Sequence, residues 1–345
     1  MGHTGKRQKQ NRLLSLTICI FFIIAALLLI LFIVFNLLKE EPEIPEENVS
    51  KPVQSIAETN TDSSPQVSSN NRHFTRKGKC YTFLIAASDQ SSGNADTIMV
   101  ITFDTTQSKV GIVSIPRDTL INPDDGYSSY PKLNSTYLKG IDNLVSAVSD
   151  LLGIPIDFYV TIDVDGFVEL IDSVGGIDFN IPVHMSYDDP KQNLYIHFEP
   201  GMTHLNGKDA LKVCRLRDNN DGTLAYPDYD IGRTRTQQQV LIAIGKKVLM
   251  NPQKINDYIE IFNQYVETNL TFGNALWFVE ALLSLDLDQD ISVSTLPGDG
   301  SVSYKNARYC YELDSQKAVR IVNELLSPYT TPVTLEDMNI FSVSN

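Results

Sequence analysis

The feature that most constrains this chain is an apolar run close to its N-terminus. From Leu13 to Leu38 the only polar side chains are Ser15, Thr17 and Asn36. The run exceeds the roughly 20 residues that an α-helix needs to cross the bilayer core. A cleaved signal peptide has an apolar region of only about 7–15 residues and ends at small residues, whereas this run stays large and apolar to its end. We therefore predict an uncleaved transmembrane helix at residues 13–38.

The charges on either side of this apolar run predict how the chain is oriented. Residues 1–12 contain four of the chain's 28 basic residues and no acidic residue, so the positive-inside rule keeps them in the cytoplasm and exports the rest. The exported part has 24 basic and 42 acidic residues, which is a formal charge of −18. A surface this acidic repels nucleic acid. We therefore expect a single-pass protein of the cell membrane, with an extracellular C-terminal domain and no nucleic-acid partner.

The exported part divides into three stretches by composition. Residues 39–75 contain four prolines among Glu, Ser, Asn and Thr and few large apolar residues, which predicts a disordered extracellular linker. Apolar patterning typical of a folded domain covers residues 76–326, and residues 327–345 are predicted to be a polar C-terminal tail. The cysteines of this part have no zinc-binding spacing and allow at most one disulfide.

The beginning of the folded stretch predicts a sheet. Three short β-rich runs are bounded by turn residues: Tyr81–Ala87, Thr97–Phe103 and Val110–Ile115. Their connections are too short for a helix, so the three strands should be successive antiparallel neighbours. The end of the first strand, the start of the second and the end of the third then share one edge of the sheet. That geometry would bring Asp89 and Asp96 together with the adjacent Arg117 and Asp118.

Further along the chain, helical and extended patterns alternate. Apolar residues recur with helical spacing over Ile141–Leu152, which stops at Gly153, and over Gln237–Leu249. Phe158–Val164 and Ile177–Ile181 are predicted strands. Helices that alternate with strands in this way favour an α/β fold with a mixed central sheet covered by helices.

Arginines are the first candidates for chemistry. Five of the nine arginines beyond the apolar run fall in three tight groups: Arg117, then Arg215 with Arg217, then Arg233 with Arg235. If Val213–Arg217 is extended, Arg215 and Arg217 point to the same face. For a single arginine in an acidic protein, a surface salt bridge is the plainer interpretation. Three groups together favour an anionic ligand, because the planar guanidinium fork suits phosphate oxygens.

Acidic and amide side chains are further candidates beside the arginines. Asp230 is placed to cap a helix whose first turn includes Arg233, with Gln237 one turn later on the same face. A phosphate would then also meet the helix N-terminus. Arg235 points elsewhere and is expected to be a solvated charge. At the sheet edge, Asp89 and Asp96 are candidate ligands for one Mg²⁺, although aspartates in loops are also ordinary turn formers.

A series of strings runs through roughly residues 80–250: ASD at 87–89, ADTIMVITFD at 95–104, VSIPRDT at 113–119, KLNSTY at 132–137, YVTIDVDGFVELIDSVGGID at 159–178, GMTHLNGKDALKVCRLR at 201–217 and DIGRTRTQQQ at 230–239. On these strings the chain resembles the LytR-CpsA-Psr family of membrane-anchored cell-wall enzymes. Their order behind an N-terminal apolar segment makes the match specific. It implies a three-layer α/β/α domain whose mixed sheet and helices enclose an apolar pocket for a polyprenyl tail.

The same resemblance implies an activity. Members look like phosphotransferases that move a glycopolymer from its polyprenyl-pyrophosphate carrier to peptidoglycan through a phosphodiester. By motif, Asp89 and Asp96 would hold Mg²⁺. The pyrophosphate would be gripped by catalytic arginines and by supporting side chains: Arg117, Arg215, Arg217 and Arg233, with Asp118, Asp230 and Gln237 in support. The resemblance also points to a Gram-positive bacterium, and we expect a monomer.

Departures from the family pattern leave alternatives open. Ser91, Asn94 and Thr236 stand where the family usually has arginine. Because a less cationic site stabilises developing charge less well, the alternative is a non-catalytic or weakly active polyprenyl-pyrophosphate-binding paralogue. A serine acyl enzyme, suggested by SxxK at Ser129–Lys132, lacks the accompanying SDN and KTG strings. A transcription regulator conflicts with the exported topology and the acidic body.

Overall fold

The computed structural model of the chain describes residues 39–44, 74–88, 93–228 and 230–343. The predicted transmembrane helix at residues 13–38 and most of the predicted linker lie outside these ranges. Across the described ranges, no helix is both long enough and apolar enough to traverse a membrane. The described residues form two compact units. The smaller combines residues 39–43 with Leu270–Leu283, and the larger contains the described parts of Ile44–Asn269 and Ser284–Asn345.

A six-stranded mixed sheet forms the centre of the larger unit. In spatial order its strands are β10 (Ile291–Thr295), β3 (Lys109–Ser114), β2 (Ala95–Asp104), β1 (Cys80–Ser88), β4 (Phe158–Asp163) and β9 (Val266–Thr268). Strands β1, β2 and β3 are antiparallel neighbours, as their short connections predict. Strand β4 runs parallel to β1 and β10 runs parallel to β3, so the mixed sheet predicted from the sequence is confirmed.

Three two-stranded sheets accompany the central one. They pair β5 (Ile177–Ile181) with β8 (Gly201–Leu205), β6 (Met185–Asp189) with β7 (Leu194–Phe198), and β11 (Gly298–Tyr304) with β12 (Ala307–Leu313). Only β5 was expected. The other strands mix polar and apolar residues without the strict alternation that would identify them.

The helices of the larger unit are α1 (Ile141–Leu152), α2 (Val164–Ser173), α3 (Gly207–Arg215), α4 (Asp230–Met250), α5 (Ile255–Tyr265) and α7 (Ser315–Ile321), and α6 (Phe272–Leu282) belongs to the smaller unit. Helix α1 has the predicted bounds and ends at Gly153, whose φ of 65° suits glycine. The prediction that Val213–Arg217 is extended is wrong, because Val213–Arg215 belong to α3. Asn206 caps α3, and Ala210 and Val213 are buried one turn apart, so the helix continues to Arg215.

The two faces of the central sheet are buried to different degrees. Leu84 and Val100 are adjacent on β1 and β2 and lie fully buried in a core shared with α1, α7 and the π-turn at Val322–Leu326. On the opposite face, the adjacent Phe83 and Ile101 stay only partly buried. That second face is approached by α4, because Gln238 of α4 donates a hydrogen bond to the Ser114 hydroxyl. Helices therefore lie on both faces of the sheet.

The folded region extends past the predicted boundary at residue 326. Tyr329, Val333 and Met338 are buried in the same core as Leu84, and the Phe74 ring stacks on Tyr329 with centroids 4.5 Å apart. Apolar residues are widely spaced among polar ones in this segment, which made it resemble a solvated tail.

A glycine in β3 gives a test of how tightly this core is packed. A Cβ added at Gly111 would overlap the Leu325 carbonyl, so Gly111→Ala should destabilise the fold by about 1–3 kcal/mol through overpacking. Gly245 lies inside α4 with open space around it, and Gly245→Ala should stabilise by about 1 kcal/mol through helix propensity. Urea denaturation measures both free energies. Equal changes in the free energy of unfolding for the two variants would contradict the packing of the π-turn on the sheet.

Candidate anion-binding site

The edge of the sheet brings the first two predicted site residues together. Arg117 follows β3, and its Nη1 forms an ion pair with Asp96 near the start of β2. The Arg117 Nε also lies 3.7 Å from the carboxylate of Asp118, which the resemblance names as a supporting side chain. The antiparallel strand order predicted this meeting. Asp89 and Ser91 lie outside the described residues.

Asp118 connects Arg117 to a lysine that the sequence analysis did not assign to the site. Lys132 Nζ lies 3.0 Å from Asp118 Oδ1 and donates a 3.1 Å hydrogen bond to the Tyr309 carbonyl. The backbone N–H of Asn134 also donates a 2.9 Å hydrogen bond to the Arg117 carbonyl, which fixes the backbone at Arg117. Lys132 opens the KLNSTY string, and that string was its only signal in the sequence.

Arg233 is the most buried arginine of the site. Only 4% of its surface is exposed, although it lies in the first turn of α4. Its Nη2 forms a 2.6 Å ion pair with Asp230, the first residue of that helix rather than the capping residue that precedes it. Among the described residues, Arg233 Nε is a buried side-chain nitrogen without a hydrogen-bond partner. A buried unpaired donor is costly, so Arg233 is suited to an acceptor that the protein does not itself supply.

The pKa of Arg217 is shifted by charged residues from several segments of the chain. Arg217 is exposed at its surface, yet partial desolvation by the surrounding protein lowers its pKa, and the positive charges of Arg233 and Arg117 lower it further. Asp230 and Asp96 act in the opposite direction. Residues from β2, the segment after β3, the segment after α3 and the start of α4 therefore share one local field. The cationic residues prevail over the acids in it, which favours a bound anion.

Arg215 stands apart from this arrangement. It is the last residue of α3, is exposed, and donates a 3.3 Å hydrogen bond to Gln192 in the turn after β6. Arg215 and Arg217 were expected to share one face of an extended segment, and the helix changes that geometry. Arg235 is exposed and paired with Asp228, which agrees with the expected solvated charge.

Two adjacent glutamines hold α4 in place. Gln237 donates to the Cys214 carbonyl at 3.1 Å and so anchors the end of α3 just before Arg217. Gln238 is buried and donates to the Ser114 hydroxyl at 2.9 Å and to the Ser294 carbonyl. It therefore ties α4 to β3 and β10. Gln237 was predicted to be a supporting residue, whereas Gln238 was missed because its neighbours are distant in sequence.

Thr236 occupies the position where the family usually has arginine. It is buried, and its hydroxyl donates to the Gly232 carbonyl while accepting a 3.1 Å hydrogen bond from the Tyr226 hydroxyl. Because Thr236 is uncharged, this position adds no positive charge to the site.

The glutamine pair allows a matched test of the site's scaffold. Gln238→Ala should lower the free energy of unfolding by about 1–3 kcal/mol, because the buried Ser114 hydroxyl and Ser294 carbonyl lose a donor. Gln239→Ala, at the next and exposed position, should change it by less than about 0.5 kcal/mol. Chemical denaturation followed by circular dichroism measures both. A Gln238→Ala variant as stable as Gln239→Ala would show that α4 is not anchored through Gln238.

Comparison with known proteins places this geometry in a family. The LytR_cpsA_psr family model matches residues 47–327. The polyisoprenyl-teichoic acid–peptidoglycan teichoic acid transferase TagV of Bacillus subtilis (strain 168) is 32% identical over 240 residues, covering 68% of this chain and 60% of TagV. The transferase TagU of Bacillus mycoides (strain KBAB4), named for the same activity, is 29% identical over 248 residues, covering 70% of this chain and 76% of TagU.

A solved structure agrees with the sequence matches. The crystal structure of B. subtilis TagV has a TM-score of 0.60 and 28% sequence identity, and covers 76% of this chain and 98% of that chain. The curated TagV sequence is longer, and this chain aligns with less than two thirds of it. With four fifths of its length matched by the family model and a fold similar to that of a solved relative, the chain belongs to the LytR_cpsA_psr family.

Proposed function

We propose that this protein is a membrane-anchored, extracellular phosphotransferase of the bacterial cell wall. It takes a glycopolymer from a polyprenyl-pyrophosphate carrier and attaches it to peptidoglycan through a phosphodiester. The names of TagV and TagU describe the transfer of polyisoprenyl-linked teichoic acid to peptidoglycan, and they support this substrate class. Anchoring at the membrane by residues 13–38 and a Gram-positive host are part of the same proposal.

The observation that carries the proposal is the buried, unpaired Nε of Arg233 within a group of three arginines. Arg117 and Arg217 influence the same site, and the acids near them are engaged in ion pairs with Arg117 and Arg233. A pyrophosphate presents several anionic oxygens to such a group. It would accept the hydrogen bond that Arg233 Nε lacks and would offset the desolvation and the repulsion that lower the pKa of Arg217.

A second feature supports a lipid carrier. Phe83, Ile85 and Val160 lie next to one another on central strands of the sheet, on the face opposite the dense core, yet remain only partly buried. A central sheet face usually packs completely, as the Leu84 face does. We infer that a polyprenyl tail covers this partly open apolar face, as the apolar pocket predicted from the family resemblance requires.

The chemistry required of these residues is positioning and charge neutralisation. An acceptor hydroxyl oxygen forms a bond to the polymer-linked phosphorus, the bridging P–O bond breaks, polyprenyl phosphate leaves, and the hydroxyl proton passes to water. Arg217 and Arg233 would hold the phosphate oxygens on which negative charge accumulates. Asp96 and Asp118 would keep the Arg117 guanidinium oriented towards the same group.

A magnesium ion fits the acidic side of this site. The Asp96 side chain is partly open to solvent, and Mg²⁺ is usually held by one or two carboxylates together with water and substrate phosphate. We propose that Asp96 and Asp89 would supply those carboxylates. The bound ion would neutralise charge on the departing phosphate.

Thr236 favours a second candidate function. Because a buried threonine replaces a usual arginine, the chain would bind the lipid pyrophosphate without transferring its polymer at a useful rate. In that case the carrier would remain bound and unconsumed.

A transfer assay with full-length protein tests the first candidate against the second. With a lipid-linked glycopolymer, peptidoglycan and Mg²⁺, the wild-type protein should release polyprenyl phosphate and form polymer-linked peptidoglycan. Arg233→Gln and Arg217→Gln should each slow transfer about a hundredfold or more, because each removes a donor from the phosphate oxygens. Product is measured by mass spectrometry of the released lipid and of digested peptidoglycan.

Arg235→Gln is the matched control, because Arg235 lies two residues from Arg233 on the same helix but pairs with Asp228 at the surface. It should keep transfer within about twofold of wild type, as expected for an exposed charge. Thermal melting would establish that each variant is folded. Bound lipid with no product in wild type would favour the binding paralogue, and normal transfer by folded Arg233→Gln and Arg217→Gln would refute the arginine site.

A further inference from the structure

Tyr309 has an unusual backbone conformation for a tyrosine. It lies within β12 with φ of 55°, in the left-handed region that favours glycine. The pairing of β11 with β12 is irregular here, since Arg308 and Tyr309 together oppose the single Ser303. A bulge with this conformation normally has glycine, so a bulky residue at this position is retained against a conformational cost.

Packing does not account for the tyrosine side chain. Tyr309 is 74% exposed, more than any other aromatic residue among the described exposed apolar side chains. A strained backbone that presents an aromatic ring to solvent is the pattern expected of a binding position rather than of a core position.

The neighbourhood of Tyr309 connects it to the arginine site. Its carbonyl accepts the hydrogen bond of Lys132 Nζ, and Lys132 in turn pairs with Asp118, which lies beside Arg117. The backbone reinforces this link, because the Tyr311 amide donates to the Asp118 carbonyl at 2.8 Å. Tyr309 is therefore held at the border of the site.

A second exposed tyrosine is anchored to the same lysine. The Lys132 amide donates a 2.8 Å hydrogen bond to the Tyr130 carbonyl, and Tyr130 is 45% exposed. One residue, Lys132, thus fixes the backbone of both tyrosines, through its amide for Tyr130 and through its ammonium group for Tyr309. Through Lys132 and Asp118, the backbones of both tyrosines are connected to Arg117.

We propose that Tyr309 and Tyr130 form an aromatic platform that stacks against the pyranose rings of the acceptor glycan strand. Pyranose rings present C–H groups on their faces, and these pack on the electron-rich face of an aromatic ring, while ring hydroxyls stay hydrated. This inference rests on the proposed function, because it assigns the acceptor of that reaction to a surface beside the arginines.

The chemistry of these side chains assigns the tyrosine rings to the acceptor rather than to the donor. The arginines match the phosphates of the carrier. Uncharged aromatic rings match the amino-sugar backbone of peptidoglycan instead. A platform next to Arg117 would hold that backbone where one of its hydroxyls can approach the bound phosphate.

Binding of tetra-N-acetylchitotetraose to the full-length protein in detergent tests the platform directly. Tyr309→Gly removes the ring and supplies the residue that φ of 55° favours, so the variant should melt no lower than wild type. Its affinity for the tetrasaccharide should fall about tenfold or more, and Tyr130→Ala should weaken binding in the same sense. Tyr309→Phe keeps the ring and should bind within about threefold of wild type.

Tyr195→Ala is the matched control, because Tyr195 is also 45% exposed but lies on β7. It should leave tetrasaccharide affinity unchanged. Failure of wild type to bind the tetrasaccharide, or equal binding by the folded Tyr309→Gly variant, would overturn the platform. The same holds if Tyr309→Gly instead weakens binding of soluble poly(glycerol phosphate), since that would assign the tyrosines to the donor.

Inorganic pyrophosphate separates this proposal from the function on which it rests. Tyr309→Gly should bind pyrophosphate as wild type does, because the ring is not among its ligands. If the wild-type protein does not bind pyrophosphate, the arginine site fails while the tetrasaccharide result still decides the platform. Loss of pyrophosphate binding in Tyr309→Gly would contradict the separate platform.

Discussion

The structure of the site depends on keeping like charges close together. Arg117, Arg217 and Arg233 come from three separate segments, in a chain whose acidic residues outnumber its basic ones by 14. Partial desolvation and then repulsion by Arg233 and Arg117 lower the pKa of Arg217, and the buried Nε of Arg233 has no hydrogen-bond partner among the described residues. Such an arrangement costs free energy unless an anion is bound. Binding and stability are therefore opposed in this site, as is common where function requires concentrated charge.

Helix α4 is the element that maintains this arrangement. Its first turn supplies Asp230 and Arg233, and its second turn holds the end of α3 through Gln237 and the sheet through Gln238. Because these contacts reach both the segment that precedes Arg217 and the strand that precedes Arg117, one helix sets the positions of all three arginines. The polar residues in the N-terminal half of α4 therefore have two roles. Gln237 and Gln238 hold the helix in place, and Arg233 belongs to the proposed anion site.

Local pattern predicted the part of the fold that depends on short-range geometry. Strands β1 to β3 were identified as antiparallel because their connections are too short for anything else, and α1 was found with its exact bounds because its apolar period is regular. The last turn of α3 was mistaken for part of a strand, since Arg215 and Arg217 alternate with Leu216 across the end of the helix. The burial of Tyr329 and Val333 depends on a core built from distant segments, which no local pattern contains.

The same distinction applies to the site. Strand order alone predicted that Asp96 and Arg117 meet, and they form an ion pair. The proximity of Arg217 to Arg233 depends on how α3 and α4 pack, so from the sequence it could be inferred only through resemblance to a family. Lys132 and Gln238 were missed because each has a partner more than 100 residues away in sequence, Tyr309 for Lys132 and Ser114 for Gln238, and because the contact of Lys132 with Asp118 depends on how the loop after β3 folds. Neither residue type is diagnostic without those partners.

The most direct measurement is a double-mutant cycle between Arg217→Gln and Arg233→Gln, read as the affinity for inorganic pyrophosphate by calorimetry. If both guanidinium groups hold one anion, the loss in the double variant should differ from the sum of the single losses by more than about 1 kcal/mol. Losses that add within about 0.5 kcal/mol, as for distant independent residues, would contradict a shared site and with it the proposed function.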